Sequence, residues 1–215
     1  MTGKAATEEL DALDVGGTGA GSDWPWEPSG PGGSAVPQRA YLTGICLALA
    51  SILMFFTALA SAYLVRQGVS TDWAPIKLPA ILWANTAVLL ASSATIERAR
   101  RLLARGHPES FRRWWGLTTA LGLLFLAGQF VAWTELRAAG VYLATNPSSS
   151  FFYVLTAAHG LHLVGGMAAL LYLAWRDESR EHRAGLQTAA TATSVYWHFL
   201  GGVWLCVLLL LNLRG

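Results

Sequence analysis

The chain has 215 residues, 53% of them hydrophobic and only 13% charged, with a net charge of +2. Soluble domains carry about 25% charged residues, so the composition points to a membrane protein and gives no bulk electrostatic case for nucleic acid. The two cysteines, Cys46 and Cys206, stand in apolar runs without the CxxC or Cys/His spacing of a zinc site, and read as small apolar groups.

Residues 1–38 form a tail of different composition. The stretch "GGTGAGSDWPWEPSGPGGSAVPQ" is rich in Gly, Pro and Ser. It offers too little apolar surface to offset its ordering entropy, so a disordered cytoplasmic tail is expected. Its acidic start and lack of an apolar core do not fit a secretory signal. Trp24 and Trp26 are its candidate docking groups.

Residues 39–215 read as one transmembrane domain. Five apolar runs follow, at about 40–65, 78–96, 114–133, 151–175 and 187–213, and none holds Lys, Arg, Asp or Glu in its interior. Each is near the roughly 20 residues that cross a bilayer as a helix. Backbone groups in hydrocarbon must be paired within the segment, so an all-α, polytopic bundle of five helices is expected. The runs are too long and too little alternating for barrel strands.

The connections set the orientation. The second, "ERARRLLARGHPESFRR", carries six arginines: 98, 100, 101, 105, 112 and 113. The fourth, "RDESREHRAG", carries Arg176, Arg180 and Arg183. The first has Arg66 and Lys77, and the third Arg137 alone. Positive loops stay inside, which puts the N-terminus inside and the C-terminus outside. Trp114, Trp115 and Trp175 then mark the inner interface, and Trp73 and Trp133 the outer one. "SSS" at 148–150, after Pro147, reads as a helix N-cap.

The polar residues inside the runs carry the functional question. They are Asn85 and Thr86, Gln129, His159 and His162, Tyr196 and His198. Such groups should face other helices or a cavity. His159 and His162 share a helix face, and at 1.5 Å per residue their depth overlaps that of His198. A haem between these helices is therefore neither required nor ruled out by spacing. A metal site would want three or four ligands, and no carboxylate lies in any run. A proton carrier would show a buried Asp, Glu or Lys. The competing reading is helix contact. His159, His162 and Gly166 fall on one stripe, and Gly165 and Gly166 would let a neighbour approach. Arg176, at the inner end of the fourth run, is placed to meet a lipid phosphate. No nucleophile elbow or P-loop occurs, and no internal symmetry suggests a transporter.

"FFYVLTAAHGLHLVGGMAALL" followed by "YWHFLGGVWLCVLLL" resembles the last two helices of subunit III of haem-copper terminal oxidases. His159, Gly160, Leu161 and His162 match the first family pattern. Tyr196, Trp197, His198, Phe199, Val203 and Trp204 match the second. "MFFTALASAYLVRQG" and "NTAVLLASSATIERAR" resemble the preceding core helices. The resemblance covers about residues 40–213 and is to the five-helix form.

The resemblance implies a subunit of a cytochrome c oxidase complex in the bacterial inner membrane. The complex would reduce oxygen and pump protons. Haem and copper would reside in partner subunits, with none in this chain and no catalytic residue of its own. Subunit I would be the direct partner and subunit II would share the complex; membership of a respiratory supercomplex stays open. The family carries phospholipid, which makes Arg176 and His162 candidate lipid-binding residues. His159, His198, Tyr196, Asn85 and Gln129 are the candidate helix–helix polar contacts. A partner of a quinol oxidase or nitric oxide reductase, and a small b-type cytochrome, stand as alternatives. Two positions depart from the pattern. Ile52 stands where the family often has a buried glutamate, and Gly201 where it often has an aspartate. A proton role for either carboxylate does not carry over.

Overall fold

Each long apolar run folds as a helix, and α2, α3 and α5 continue beyond their runs into charged turns. The computed structural model describes residues 38–69, 73, 78–175 and 183–214. Trp24, Trp26 and Arg176 lie outside these described residues. Five helices follow in order: α1 (Gln38–Val69), α2 (Ile81–Ala104), α3 (Pro108–Ala138), α4 (Pro147–Trp175) and α5 (Arg183–Arg214). The apolar runs report where hydrocarbon would lie. Helical hydrogen bonding persists outside them, helped on α2 by Glu97, which pairs with Arg100 and Arg101 one turn on, at 2.8 and 2.7 Å.

Among the described residues four helices are long and apolar enough to cross a membrane: Thr43–Val69 within α1, α3, α4, and Gly185–Leu213 within α5. α2 does not meet that measure, although a span was expected at 78–96. Its apolar part is interrupted by Asn85, Thr86, Ser92, Ser93 and Thr95, and Glu97 and Arg98 follow at once. Asn85, Thr86, Ser92 and Thr95 are buried, while Trp83 and Leu90 face outward. α2 is thus polar toward the bundle and apolar away from it, a sidedness that an average over all faces hides.

α2 and α3 form a long antiparallel hairpin, and its turn follows from local sequence. Gly106 takes φ 81°. The His107 N–H donates to the Leu102 carbonyl at 3.0 Å and the Gly106 N–H to Leu103 at 3.1 Å. This Schellman closure needs a residue free to enter the left-handed region. Pro108 then opens α3, where its missing N–H costs nothing. The same device ends α3: Gly140 has φ 80°, and Val141 donates to Leu136 at 2.9 Å. α4 is capped by Asn146 rather than by the serines after Pro147. The Asn146 side-chain Oδ1 accepts the Ser149 N–H at 2.9 Å, and the Ser149 hydroxyl accepts the Asn146 N–H at 3.2 Å.

α2, α3, α4 and α5 close a ring in which each helix packs on its two neighbours, α5 returning to α2. α1 lies outside it, against α4 and α5. It docks through one seam. Phe56 and Tyr63 are buried, with Ile52 and Leu59 partly so, a 4-3-4 spacing that follows one helix face. Much of the remaining described face of α1 is apolar and exposed, including Leu47, Met54 and Val65. Exposed leucines and valines likewise cover the outer faces of α3, α4 and α5. Asn85, Thr86, Gln129 and His159 point in and large apolar side chains cover the outer faces, as lipid demands.

Candidate functional site

The centre of the ring is held by tryptophans that donate across helices. Trp197 of α5 is fully buried. Its indole N–H donates to the Ser92 hydroxyl of α2 at 2.9 Å. Its six-membered ring lies against two glycines, Gly166 of α4 and Gly122 of α3. A Cβ added at these positions would come within 3.3 and 2.9 Å of it. Two turns along α5, Trp204 donates to the Thr86 hydroxyl of α2 at 3.0 Å. Its ring meets Phe125 of α3 edge-on at 5.0 Å and His159 of α4 at 5.0 Å. The acceptors Thr86 and Ser92 appear in reverse order because α2 and α5 are antiparallel.

Further cross-helix bonds extend the pattern. Trp115 donates to the Leu170 carbonyl at 2.9 Å, Trp133 to the Thr156 hydroxyl at 3.1 Å, and the Thr95 and Thr118 hydroxyls pair at 2.8 Å. An indole N–H buried without an acceptor would be costly in an apolar interior. Each such bond in a membrane bundle is worth about 0.6–2 kcal/mol. Trp115 is only 1% exposed, so it is a core pin and not the interface marker expected from its position. Trp175, 86% exposed, does fit an interfacial role.

The polar residues expected at helix contacts divide into three groups. Asn85 and Tyr196 make such contacts. The Asn85 amide donates to the Phe125 carbonyl at 3.4 Å, and its side chain fills the notch left by Gly128 on α3. The Tyr196 hydroxyl donates to the His162 carbonyl at 3.0 Å, and its ring edge lies 3.0 Å from where a Gly166 Cβ would be. Gly165 and Gly166 thus admit the α5 aromatics to α4.

His159 and Gln129 are buried, but neither has a hydrogen-bond partner among the described residues. The His159 ring is enclosed by Trp204, Phe125 and Phe56, at centroid distances of 5.0, 5.9 and 6.4 Å. Its contacts are aromatic, not polar.

His162 and His198 face elsewhere. His162 is half-buried; its Nδ1 lies 2.7 Å from the Ala158 carbonyl of its own helix, and its ring packs on Phe56 of α1 at 5.5 Å. His198 is exposed, which corrects its expected place at a helix contact. The reason is helical phase: at about 100° per residue, burial of Trp197 turns His198 outward. The histidines therefore do not converge on one site. Among the described residues no group of three or more His, Cys, Asp or Glu could hold a metal ion. Cys46 and Cys206 are free and exposed on the outer surface. Ile52 contributes to the α1 seam, and Gly201 is buried with its Cα facing Ser93.

The tryptophan pins were missed as such by reading the sequence. Their signal was the stripe Thr86, Leu89, Ser92 and Thr95 on α2, spaced by three, which brings hydroxyls to the buried face.

Comparison with known proteins bears on the whole bundle. The profile of the family "Cytochrome c oxidase subunit III" matches residues 33–215. A "Probable cytochrome c oxidase subunit 3" of Nocardia farcinica is 34% identical over 191 residues, covering 82% of this chain and 93% of that protein. A "Cytochrome c oxidase subunit 3" of Synechocystis sp. is 31% identical, covering 79% of this chain and 74% of that protein. A counterpart in Mycobacterium tuberculosis is 31% identical over 83% of this chain and 94% of its own length. With the match spanning every described helix, the chain belongs to the cytochrome c oxidase subunit III family.

Proposed function

We propose that the chain is the non-redox third subunit of a terminal oxidase that passes electrons from cytochrome c to oxygen and pumps protons. In this reading it sits beside subunit I, shares the complex with subunit II, and supports the enzyme as a structural and lipid-carrying bundle. Haem and copper belong to the partner subunits. The chain crosses a bacterial inner membrane five times, α2 included, with its N-terminus inside and its C-terminus outside.

The observation that carries the proposal is what the interior polar groups do. Thr86, Ser92, Thr95, Thr118 and Thr156 are engaged in cross-helix bonds, and His159 is enclosed by aromatic rings. His198 points outward from the bundle, which disfavours the b-type cytochrome reading. Such an interior favours holding helices together over carrying electrons or protons. The arginines of the 97–113 connection favour an inside location for that loop.

Co-purification tests the partner. A tagged chain expressed in its native membrane should bring down a haem-copper subunit. Its absence under mild detergent would overturn the assignment. The reduced-minus-oxidised spectrum of that complex separates a cytochrome c oxidase from a quinol oxidase or nitric oxide reductase. The chain purified alone should show no stoichiometric Soret band. Orientation is read by labelling Ser179→Cys and Ala144→Cys in a background without the native cysteines. An impermeant thiol reagent added outside should modify only Ala144→Cys. We also assign a lipid phosphate to Arg176, and to His162 a place beside the lipid that the bundle carries. Arg176→Ala should lower the phospholipid retained by the complex, and equal lipid content would contradict it.

A further inference from the structure

A second polar site lies where α2 meets α3, at the end of the hairpin. There a groove of about 580 Å³ is lined by Ala94, Glu97, Arg98, Arg101, Arg105 and Trp114, among others. Its walls are of two kinds. One end is basic: three guanidinium groups face one carboxylate. Glu97 is committed to Arg100 and Arg101. Among the described residues Arg98 and Arg105 have no carboxylate partner. Arg98 is held in place by stacking, with its guanidinium 4.6 Å above the Trp114 ring. The groove thus keeps two unpaired positive charges, one of them fixed in position.

The other end is apolar and continues along the hairpin. Leu90 lies one turn from Ala94 on α2 and is 53% exposed. Leu117 lies one turn from Trp114 on α3 and is 44% exposed. Both stand one turn farther from the hairpin turn than the groove residues they follow, on the side of the apolar runs. A ligand matching both walls has an anionic head and an apolar tail.

We propose that this groove is a headgroup site for an anionic phospholipid. Arg98 and Arg105 contact the phosphate, the Trp114 ring forms the wall at the glycerol level, and an acyl chain follows Leu90 and Leu117. The residues are other than Arg176, which follows α4 in the chain and lies outside the described residues. It rests on the membrane placement of the chain and not on the identity of the oxidase. Each basic residue near an anionic headgroup contributes about 1 kcal/mol, or roughly 5-fold in binding.

The test uses the full chain, in whatever complex it is purified with, after exchange into a lipid-free detergent. Phosphatidylglycerol or phosphatidylcholine is added back in mixed micelles, and bound lipid is counted by native mass spectrometry. Arg98→Gln with Arg105→Gln should weaken phosphatidylglycerol binding roughly 30-fold. Arg105→Gln alone, which leaves the Arg98–Trp114 stack intact, should weaken it about 5-fold. Arg112→Gln with Arg113→Gln, outside the groove, should change it little. Phosphatidylcholine, whose choline offsets its phosphate charge, should bind more weakly than phosphatidylglycerol and lose less than phosphatidylglycerol does in the Arg105 variant. Undiminished phosphatidylglycerol binding in both groove variants would overturn the proposal. Displacement of the lipid by equimolar inorganic phosphate would also overturn it, because the site would then read phosphate without an acyl chain. Lipid is counted on this chain whichever subunits accompany it, so this failure and that of the oxidase reading are separate.

Discussion

Gly122→Ala is a sharp probe of how the bundle is held. The new Cβ would meet the Met167 methyl and two atoms of the Trp197 ring, at 2.9 and 3.1 Å. Met167 can swing its terminal methyl aside. The Trp197 ring cannot, because its N–H is tied to Ser92 at 2.9 Å and its other edge lies on Gly166. Overpacking against a fixed ring costs about 1–3 kcal/mol. Trp197→Phe removes the outer ring atoms and the hydrogen bond. Alone it should cost about 1–3 kcal/mol, from about 0.6–2 for the bond plus the packing defect left between the two glycines. In combination the sign changes. With the outer ring gone, the alanine methyl enters the vacated space, and Gly122→Ala should become neutral or stabilising. The coupling should exceed about 1 kcal/mol. Stability is read by circular dichroism in mixed micelles titrated with dodecyl sulfate, which avoids the loss of a tryptophan fluorophore. Additive costs within about 0.5 kcal/mol, or a harmless Gly122→Ala in the parent, would refute the wedged-indole account.

Thr86→Val keeps shape but removes the acceptor for Trp204, and should cost about 0.6–2 kcal/mol in the same assay, with Thr86→Ser restoring most of it. Gln129→Leu removes a buried amide with no hydrogen-bond partner among the described residues, so stability should hold or rise by up to about 1 kcal/mol; a loss above about 2 kcal/mol would mean that the amide is engaged. Hydrogen bonding from Arg100, then Arg101, holds the Glu97 carboxyl at about 2, below its usual 4.5. The folded state thus favours the carboxylate. Its stabilisation is complete above pH 4.5 and fades as pH falls toward 2. Arg100 and Arg101 are 37% and 64% exposed, so screening limits the effect to less than about 1 kcal/mol. The stability gap between the parent and Glu97→Gln should be flat above that window and close within it; a gap that widens on acidification would contradict the pairing.

Much of the fold was legible in the sequence because lipid imposes a one-dimensional rule. An uncharged apolar run near membrane thickness has to be a helix, and α1, α3, α4 and α5 obey it directly. α2 was harder to read. Its polar residues lie on one face, so its average character falls short although its outer face is apolar. Helix ends were blurred for a related reason: the runs mark hydrocarbon, whereas α3 continues through Glu135 and Arg137 until Gly140 closes it. The closing glycines, Gly106 and Gly140, stand two residues past the last residues of α2 and α3 and well beyond the apolar runs, so the runs alone did not mark them.

The interior contacts needed three dimensions. Residue type told that Asn85, Tyr196, His159 and His198 were polar in an apolar setting, and all were expected at helix contacts. Asn85 and Tyr196 make polar ones, His159 is buried among rings, and His198 turns outward. The sequence by itself determined helix number, chain composition and family, because burial in lipid and the spacing of "HGLH" and "YWHF" are properties of one strand of text. Which tryptophan meets which hydroxyl, that Gly122 and Gly166 sandwich one indole, and that Arg98 stacks on Trp114 beside an open groove were decided only by the tertiary structure. Each depends on the rotation of one helix against another, and a shift of one residue, about 100°, exchanges the buried face for the exposed one.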